Sequence, residues 1–149
     1  MSAAIDTVQR VPLRIRLTNA IVRRLLALGL RIPPMVLLTV RGRRTGRQRT
    51  TPIGLLEQDG HRYLFSAFGE VNWVRNLRAE GVATIARGRQ HETLAAAELS
   101  AEEAGRILQS ILKAPTFGRL VRPYFPVAPD APLTDHIQEA RRHPVFELG

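Results

Sequence analysis

The densest group of chemically capable residues is Arg41-Gly42-Arg43-Arg44-Thr45-Gly46-Arg47-Gln48-Arg49-Thr50-Thr51-Pro52. It gathers five arginines, two glycines and three threonines in one short segment. Guanidinium groups offer forked donors that match phosphate oxygens, and glycine lets backbone N–H groups approach an anion closely. Threonine hydroxyls can complete such a shell. The chemistry suits a terminal phosphate or a phosphodiester, although the spacing lacks the closing Gly-Lys-Ser/Thr of a Walker loop. A solvated basic hairpin tip and a nucleic-acid contact are the competing readings. The second is disfavoured, because aromatic residues make up only 5% of the chain and none stands among Arg41–Arg49 to stack on a base.

A second segment is Ser66-Ala67-Phe68-Gly69-Glu70, followed by Asn72-Trp73-Val74-Arg75-Asn76-Leu77. Small residues and a glycine where a strand meets a helix let a flat ring lie close to backbone. The N–H groups that open the Asn72 helix could receive polar ring atoms or an anion. The single tryptophan, Trp73, either walls a pocket or anchors the core.

Other chemistries find little support. The absence of cysteine excludes disulfides, thiolate metal sites and cysteine nucleophiles. His61, His91, His136 and His143 show no metal-ligand spacing and are expected in surface or packing roles. No Gly-x-Ser-x-Gly elbow is present, and Glu102-Glu103 suits a helix start better than acid–base work.

These segments must be held by regular elements. Pro12 to Leu30 predicts a helix, with proline as its first residue and Leu13, Leu17, Ile21, Leu25 and Leu28 on one stripe. Arg14, Arg16, Arg23 and Arg24 fall largely beside or opposite that stripe. The stripe either packs on the core with its arginines in water or lies in an anionic membrane interface. Strands are expected at Met35–Val40, Thr50–Gln58 and His61–Ala67, with a hairpin at Asp59-Gly60. A short helix over Asn72–Glu80 is capped by Gly81, and Val82–Arg87 pairs with His91–Leu99. Ser100 opens a helix to Lys113, a short helix covers Thr116–Arg122, and Pro123–Pro132 is loop. Leu133–Arg142 forms the last helix, before an apolar tail at His143–Gly149. The order implies an α+β fold of about five to six antiparallel strands curled into a small barrel with flanking helices.

Charge is distributed unevenly along the 149 residues, whose formal net charge is +9. Residues 1–50 hold eleven arginines and one acid, Asp6, so they carry 11 − 1 = +10 and the remainder −1. That first third is expected to meet something anionic: a phosphorylated ligand, a membrane or nucleic acid. Met1–Arg10 is polar and does not read as a signal peptide. No apolar run approaches the roughly 20 residues of a spanning helix. A cytoplasmic protein is expected, with contact at the inner face of the cell membrane through the Leu13–Leu28 helix as a separate reading. The chain divides into an amphipathic helix at 1–31 and a barrel domain at 32–149.

The Val40–Gly46 segment with Arg49-Thr50-Thr51-Pro52, the strand end Ser66-Ala67-Phe68-Gly69 and Asn72-Trp73-Val74-Arg75-Asn76-Leu77 together resemble the deazaflavin-dependent nitroreductase family. The likeness runs from roughly Pro34 to Leu99, and His143-Pro144-Val145-Phe146 is similar as well. The resemblance implies a split β-barrel of FMN-binding-like type and coenzyme F-420, a deazaflavin with a phosphate and an oligoglutamate tail. By matching position, Arg43, Arg44, Thr45, Arg49, Thr50 and Thr51 would hold the phosphate and the start of the tail. Ser66, Ala67, Phe68 and Gly69 would contact tail or ring, and Asn72, Trp73, Val74, Arg75 and Asn76 would hold the deazaflavin by backbone and packing. Tyr124 is the candidate for a substrate pocket. The implied reaction is hydride transfer to an electron-poor small molecule such as a quinone, nitroaromatic or activated enone, with no catalytic side chain or metal required. An FMN-binding reductase on the same barrel and a non-catalytic deazaflavin carrier are the alternatives.

Overall fold

A computed structural model describes residues 11–149, so the expectation for Met1–Arg10 lies outside the described residues. The apolar run after Pro33-Pro34 becomes β1 (Met35–Arg41), whose side chains alternate between two apolar surroundings. Val36, Leu38 and Val40 enter the barrel core with Ile53, Leu55, Leu64, Val74, Leu77 and Phe146. Leu37 points outward into a separate cluster with Leu26 and Ala86. A strand covered on both faces must be apolar nearly throughout, which explains the uninterrupted run.

β2 (Gln48–Gln58) returns antiparallel to β1 and is joined by the Asp59-Gly60 turn to β3 (His61–Phe65). Both turn residues have positive φ, 52° and 80°, the conformation for which Asp-Gly is selected. The helix α2 (Asn72–Glu80) follows, ended by Gly81 at φ 71°. β4 (Val82–Arg87) pairs with both β1 and β5 (Gln90–Glu98). The tail is a strand rather than a loose end. β6 (Val145–Leu148) inserts between β3 and β5 and closes the barrel in the order β1-β2-β3-β6-β5-β4. Four residues are too few for a strand signal in sequence; the two open edges that flank them define it.

The remaining helices cover one side. α3 (Ala101–Lys113) starts at a reciprocal cap in which the Ser100 hydroxyl accepts from the Glu103 N–H and the Glu103 carboxylate accepts from the Ser100 N–H. α4 (Phe117–Val121) runs into a single 3-10 turn at Arg122–Tyr124, so Pro123 is not in the loop expected for it. α5 (Leu133–Ala140) crosses α3 at Gly105. These helices pack a second core of Phe65, Leu108, Ile111, Leu112, Phe125 and Val145.

α1 (Leu13–Ala27) begins one residue after Pro12 and is turned the other way from the simplest expectation. Leu26 and Val22 pack on Leu37 and Ala86 outside the barrel. The stripe Leu13, Leu17, Ile21, Leu25 and Leu28 faces solvent instead of the core. Leu26 is the buried residue of α1, and the leucine row lies on the opposite side of the helix. Among the described residues no helix is long and apolar enough to cross a membrane.

Candidate functional site

The basic segment is a hairpin turn between β1 and β2. Gly42 N–H donates to Arg47 O at 2.7 Å and Gly46 N–H donates to Gly42 O at 2.8 Å. A Cβ on Gly42 would sit 3.1 Å from Arg47 O and 3.2 Å from Thr45 Oγ1, so glycine is what allows the turn to fold this tightly. Arg43, Arg44, Thr45 and Arg49 are all exposed at its tip. Thr45 Oγ1 also accepts from the Arg47 N–H at 3.3 Å.

Asn76 joins this turn to the second segment across 33 residues of sequence. Its Oδ1 accepts from the Arg43 N–H at 3.2 Å and from Arg43 Nη1 at 2.8 Å. Asn76 is buried on α2, so the turn is tied to that helix at this point. Arg43 then borders a cavity of about 390 Å³ shared with Glu70, Arg75, Arg78 and Ala79. Its lining charges sum to 3 − 1 = +2, from three arginines and one glutamate.

Glu70 stood in the second segment without a role, and Arg78 was not singled out. Arg78 donates to Glu70 at 2.8 and 3.0 Å and to Glu98 at 2.6 and 2.8 Å. These bonds, those to Glu98 first and Glu70 second, raise the guanidinium pKa above its ordinary value and keep the group charged. The Arg75 and Arg78 spacing of three on α2 was the available signal, since it places both on one face.

α2 opens at Val71 with no side-chain cap and no acid in its first turn. Its first internal bond is Arg75 N–H to Val71 O. Among the described residues the N–H groups of Asn72, Trp73 and Val74 meet no acceptor. The side chains of this stretch take different surroundings. Val74 is fully buried in the barrel core and can offer a ligand only its backbone. Trp73 packs on that core with its ring 6.0 Å from Phe146, which supports the anchor role. Asn72 is exposed.

The loop between β3 and α2 is fixed from inside. Ser66 is buried; its Oγ donates to Gly69 O at 2.5 Å, so the hydroxyl is already spent. Gly69 has φ 74°. The Ser66 carbonyl accepts from His143 Nδ1 at 2.9 Å, and His143 Nε2 lies 2.9 Å from Glu139 Oε1. His143 is thus a buried support for this loop, placed by the segment that leads into β6. Ala67 packs toward the helical core. Phe68 meets Tyr124 edge to face, with ring centroids 5.1 Å apart, so Tyr124 stands beside the loop although 56 residues separate the two.

Strand alternation separates two expected ligands. Thr50 lies opposite Thr39 on the outer surface of β2, with hydroxyls 2.8 Å apart. Arg49 and Thr51 pair with Val40 and Leu38, whose side chains point into the barrel. Thr50 therefore leaves the face that Arg49 and Thr51 share. Among the described residues no group of three His, Asp or Glu could hold a metal ion.

The fold is a closed six-stranded split barrel that holds a basic turn beside the start of an uncapped helix. Residues 14–117 match the family described as F-420H(2)-dependent quinone reductase, and the chain belongs to that family. It is a coenzyme F-420-dependent reductase. A comparison with curated proteins gives no significant match. Among solved structures, one described as a domain-swapped dimer has TM-score 0.56 and 18% identity, covering 91% of this chain and 99% of its own. An F-420-H2 dependent reductase, FDR-A, has TM-score 0.50 and 22% identity over 78% of this chain and 95% of its own. A protein of Clostridium acetobutylicum related to general stress protein 26, of the pyridoxinephosphate oxidase family, has TM-score 0.51 and 11% identity, covering 87% and 80%. At these identities the structural likeness is one of fold.

Proposed function

We propose that the reduced deazaflavin binds with its phosphate and tail along the Arg43, Arg44, Thr45, Arg49, Thr51 and Arg75 surface and its ring beside Ser66–Gly69 and the start of α2. The observation that carries this reading is the pair of hydrogen bonds that Arg43 donates to Asn76, which brings both halves of the pattern to one cleft. The donor set fits the group. Guanidinium ions and the N–H groups that open α2 together suit a polyanion joined to a ring with carbonyl acceptors. Arg78 belongs to the same cleft and holds Glu70 and Glu98 beside it.

When bound, the deazaflavin supplies a hydride, because carbon stands where flavin has its central nitrogen. The chain's own part is orientation and electrostatics. The arginines neutralise the tail, the glycine turn at Gly69 lets backbone approach the ring, and Phe68 with Tyr124 forms an aromatic wall for an electron-poor acceptor. A quinone is the acceptor class we assign, with nitroaromatics and activated enones as compounds of the same electronic kind. No side chain in the described site stands out as an acid, so solvent supplies the proton.

Fluorescence titration with oxidised coenzyme F-420, followed by oxidation of the reduced form by a soluble quinone, tests this. Micromolar binding with quinone-dependent turnover supports it. Binding without turnover identifies a carrier, and a yellow protein that retains FMN and ignores the deazaflavin identifies a flavin reductase. Tyr124→Ala should raise KM for the quinone while leaving the coenzyme dissociation constant unchanged.

A further inference from the structure

The outer face of α1 is the largest feature that the cofactor site does not use. Leu13, Leu17, Ile21 and Leu28 are 69%, 60%, 62% and 76% exposed, and Leu25 completes the row. Single exposed leucines are ordinary, but a continuous row along four turns is not. The inner face is already satisfied by Val22 and Leu26 on the barrel, so the row cannot be a core that failed to form.

Charge selects the occupant. Residues 11–32 hold Arg14, Arg16, Arg23, Arg24 and Arg31 and no acid. Contrary to the simple wheel reading, Arg14 and Arg24 share the exposed row: Arg14 lies three before Leu17, and Arg24 lies three after Ile21 and four before Leu28. A second copy of this chain would bring five arginines against five. Nucleic acid would receive the arginines and leave the leucines in water. An anionic bilayer satisfies both, since the leucines sink beneath the headgroups while the arginine stems extend to the phosphates.

The helix has the dimensions for this. At 15 residues it is about 22 Å long, too short to cross a hydrocarbon layer of about 30 Å but ample to lie along one. Its first turn has no acid and no capping side chain, so it gains little locally and burial of the outer face is the main stabilisation left to it. We propose that α1 docks the protein flat on an anionic lipid surface, through the row Leu13–Leu28 with Arg14 and Arg24. The docking stands independently of the hydride-transfer reading.

Co-sedimentation of the full chain with vesicles tests the proposal, using phosphatidylcholine alone and phosphatidylcholine mixed with phosphatidylglycerol. The protein should pellet with the mixed vesicles, be released by salt and largely ignore the neutral ones. Arg14→Gln with Arg24→Gln should weaken binding by about 25-fold, at about fivefold for each arginine. Leu17→Glu with Ile21→Glu should weaken it by more than about tenfold. Both positions are exposed, so the thermal unfolding midpoint should not move. Equal pelleting of this double variant overturns the proposal, as does equal pelleting with neutral vesicles. A lipid-free dimer that the same substitutions disperse, with no vesicle binding, would assign the face to a second copy and overturn it too.

Discussion

Replacing Asn76 with alanine removes the acceptor that ties the basic turn to α2. Two bonds are lost, one from the Arg43 N–H at 3.2 Å and one from its guanidinium at 2.8 Å. A neutral hydrogen bond contributes about 1 kcal/mol and one from a charged group about 1.5–3 kcal/mol. Arg43 is exposed and both donors regain water, so we expect a total near the lower end, about 2 kcal/mol. In a chain of this length that corresponds to a fall of about 4–8 °C in Tm. Binding should suffer separately. A released turn must be gathered again before its arginines meet a phosphate, which at up to about 2 kcal/mol weakens coenzyme affinity as much as 30-fold. Fluorescence titration of the folded variant measures this, and Arg43→Ala with the double variant completes a cycle. Effects that add within about 0.5 kcal/mol would refute the tether, because coupled partners do not add. So would an Asn76→Ala protein that binds within about twofold of the unsubstituted chain while Arg43→Ala binds weakly.

Three further outcomes follow from the same geometry. Thr51→Val should weaken coenzyme binding about fivefold, the value of one neutral hydrogen bond, while Thr50→Val leaves it unchanged, because Thr50 faces Thr39 on the other side of the strand. Glu70→Gln removes the carboxylate from the cavity it shares with Arg43, Arg75 and Arg78. Affinity for the anionic coenzyme should rise about fivefold at low salt, and the gain should shrink as ionic strength increases. Gly105→Ala would set a Cβ 2.7 Å from the Ile137 Cα and 2.9 Å from its backbone nitrogen, where α3 and α5 cross. Backbone cannot yield as a side-chain tip can, so we expect a loss of about 1–3 kcal/mol in denaturant unfolding with coenzyme affinity of the folded protein unchanged.

The site was legible in sequence only as parts. Arg43, Arg49 and the glycines at 42 and 46 announce an anion-binding turn because their chemistry is local. The joined pattern with Asn72–Leu77 suggested one cofactor, yet nothing in sequence said that Asn76 would face Arg43. Its polar character on an otherwise apolar helix face was compatible with a surface position. Val74 and Trp73 were placed at the ligand by resemblance, through backbone and packing, and it is the fold that puts the Val74 side chain in the barrel core and the Trp73 ring against Phe146. His143 was assigned a packing role in general terms. Its bond to the Ser66 carbonyl could not be foreseen, because it spans 77 residues.

By itself the sequence determined what depends on neighbours in the chain. Turn residues at Asp59-Gly60, the Ser100 cap, the glycine stop at Gly81 and the alternation of β1 all formed as their local chemistry dictates. Tertiary structure decided what depends on partners far away. β6 is a strand because β3 and β5 present open edges to it. Thr50 and Thr51 part company because register fixes which face each one takes. The leucine row of α1 shows the division most clearly. Helical spacing established that the row exists, but its direction rested on how much apolar surface the barrel had left to cover. That surface was filled by Val22 and Leu26, and the row was left outward.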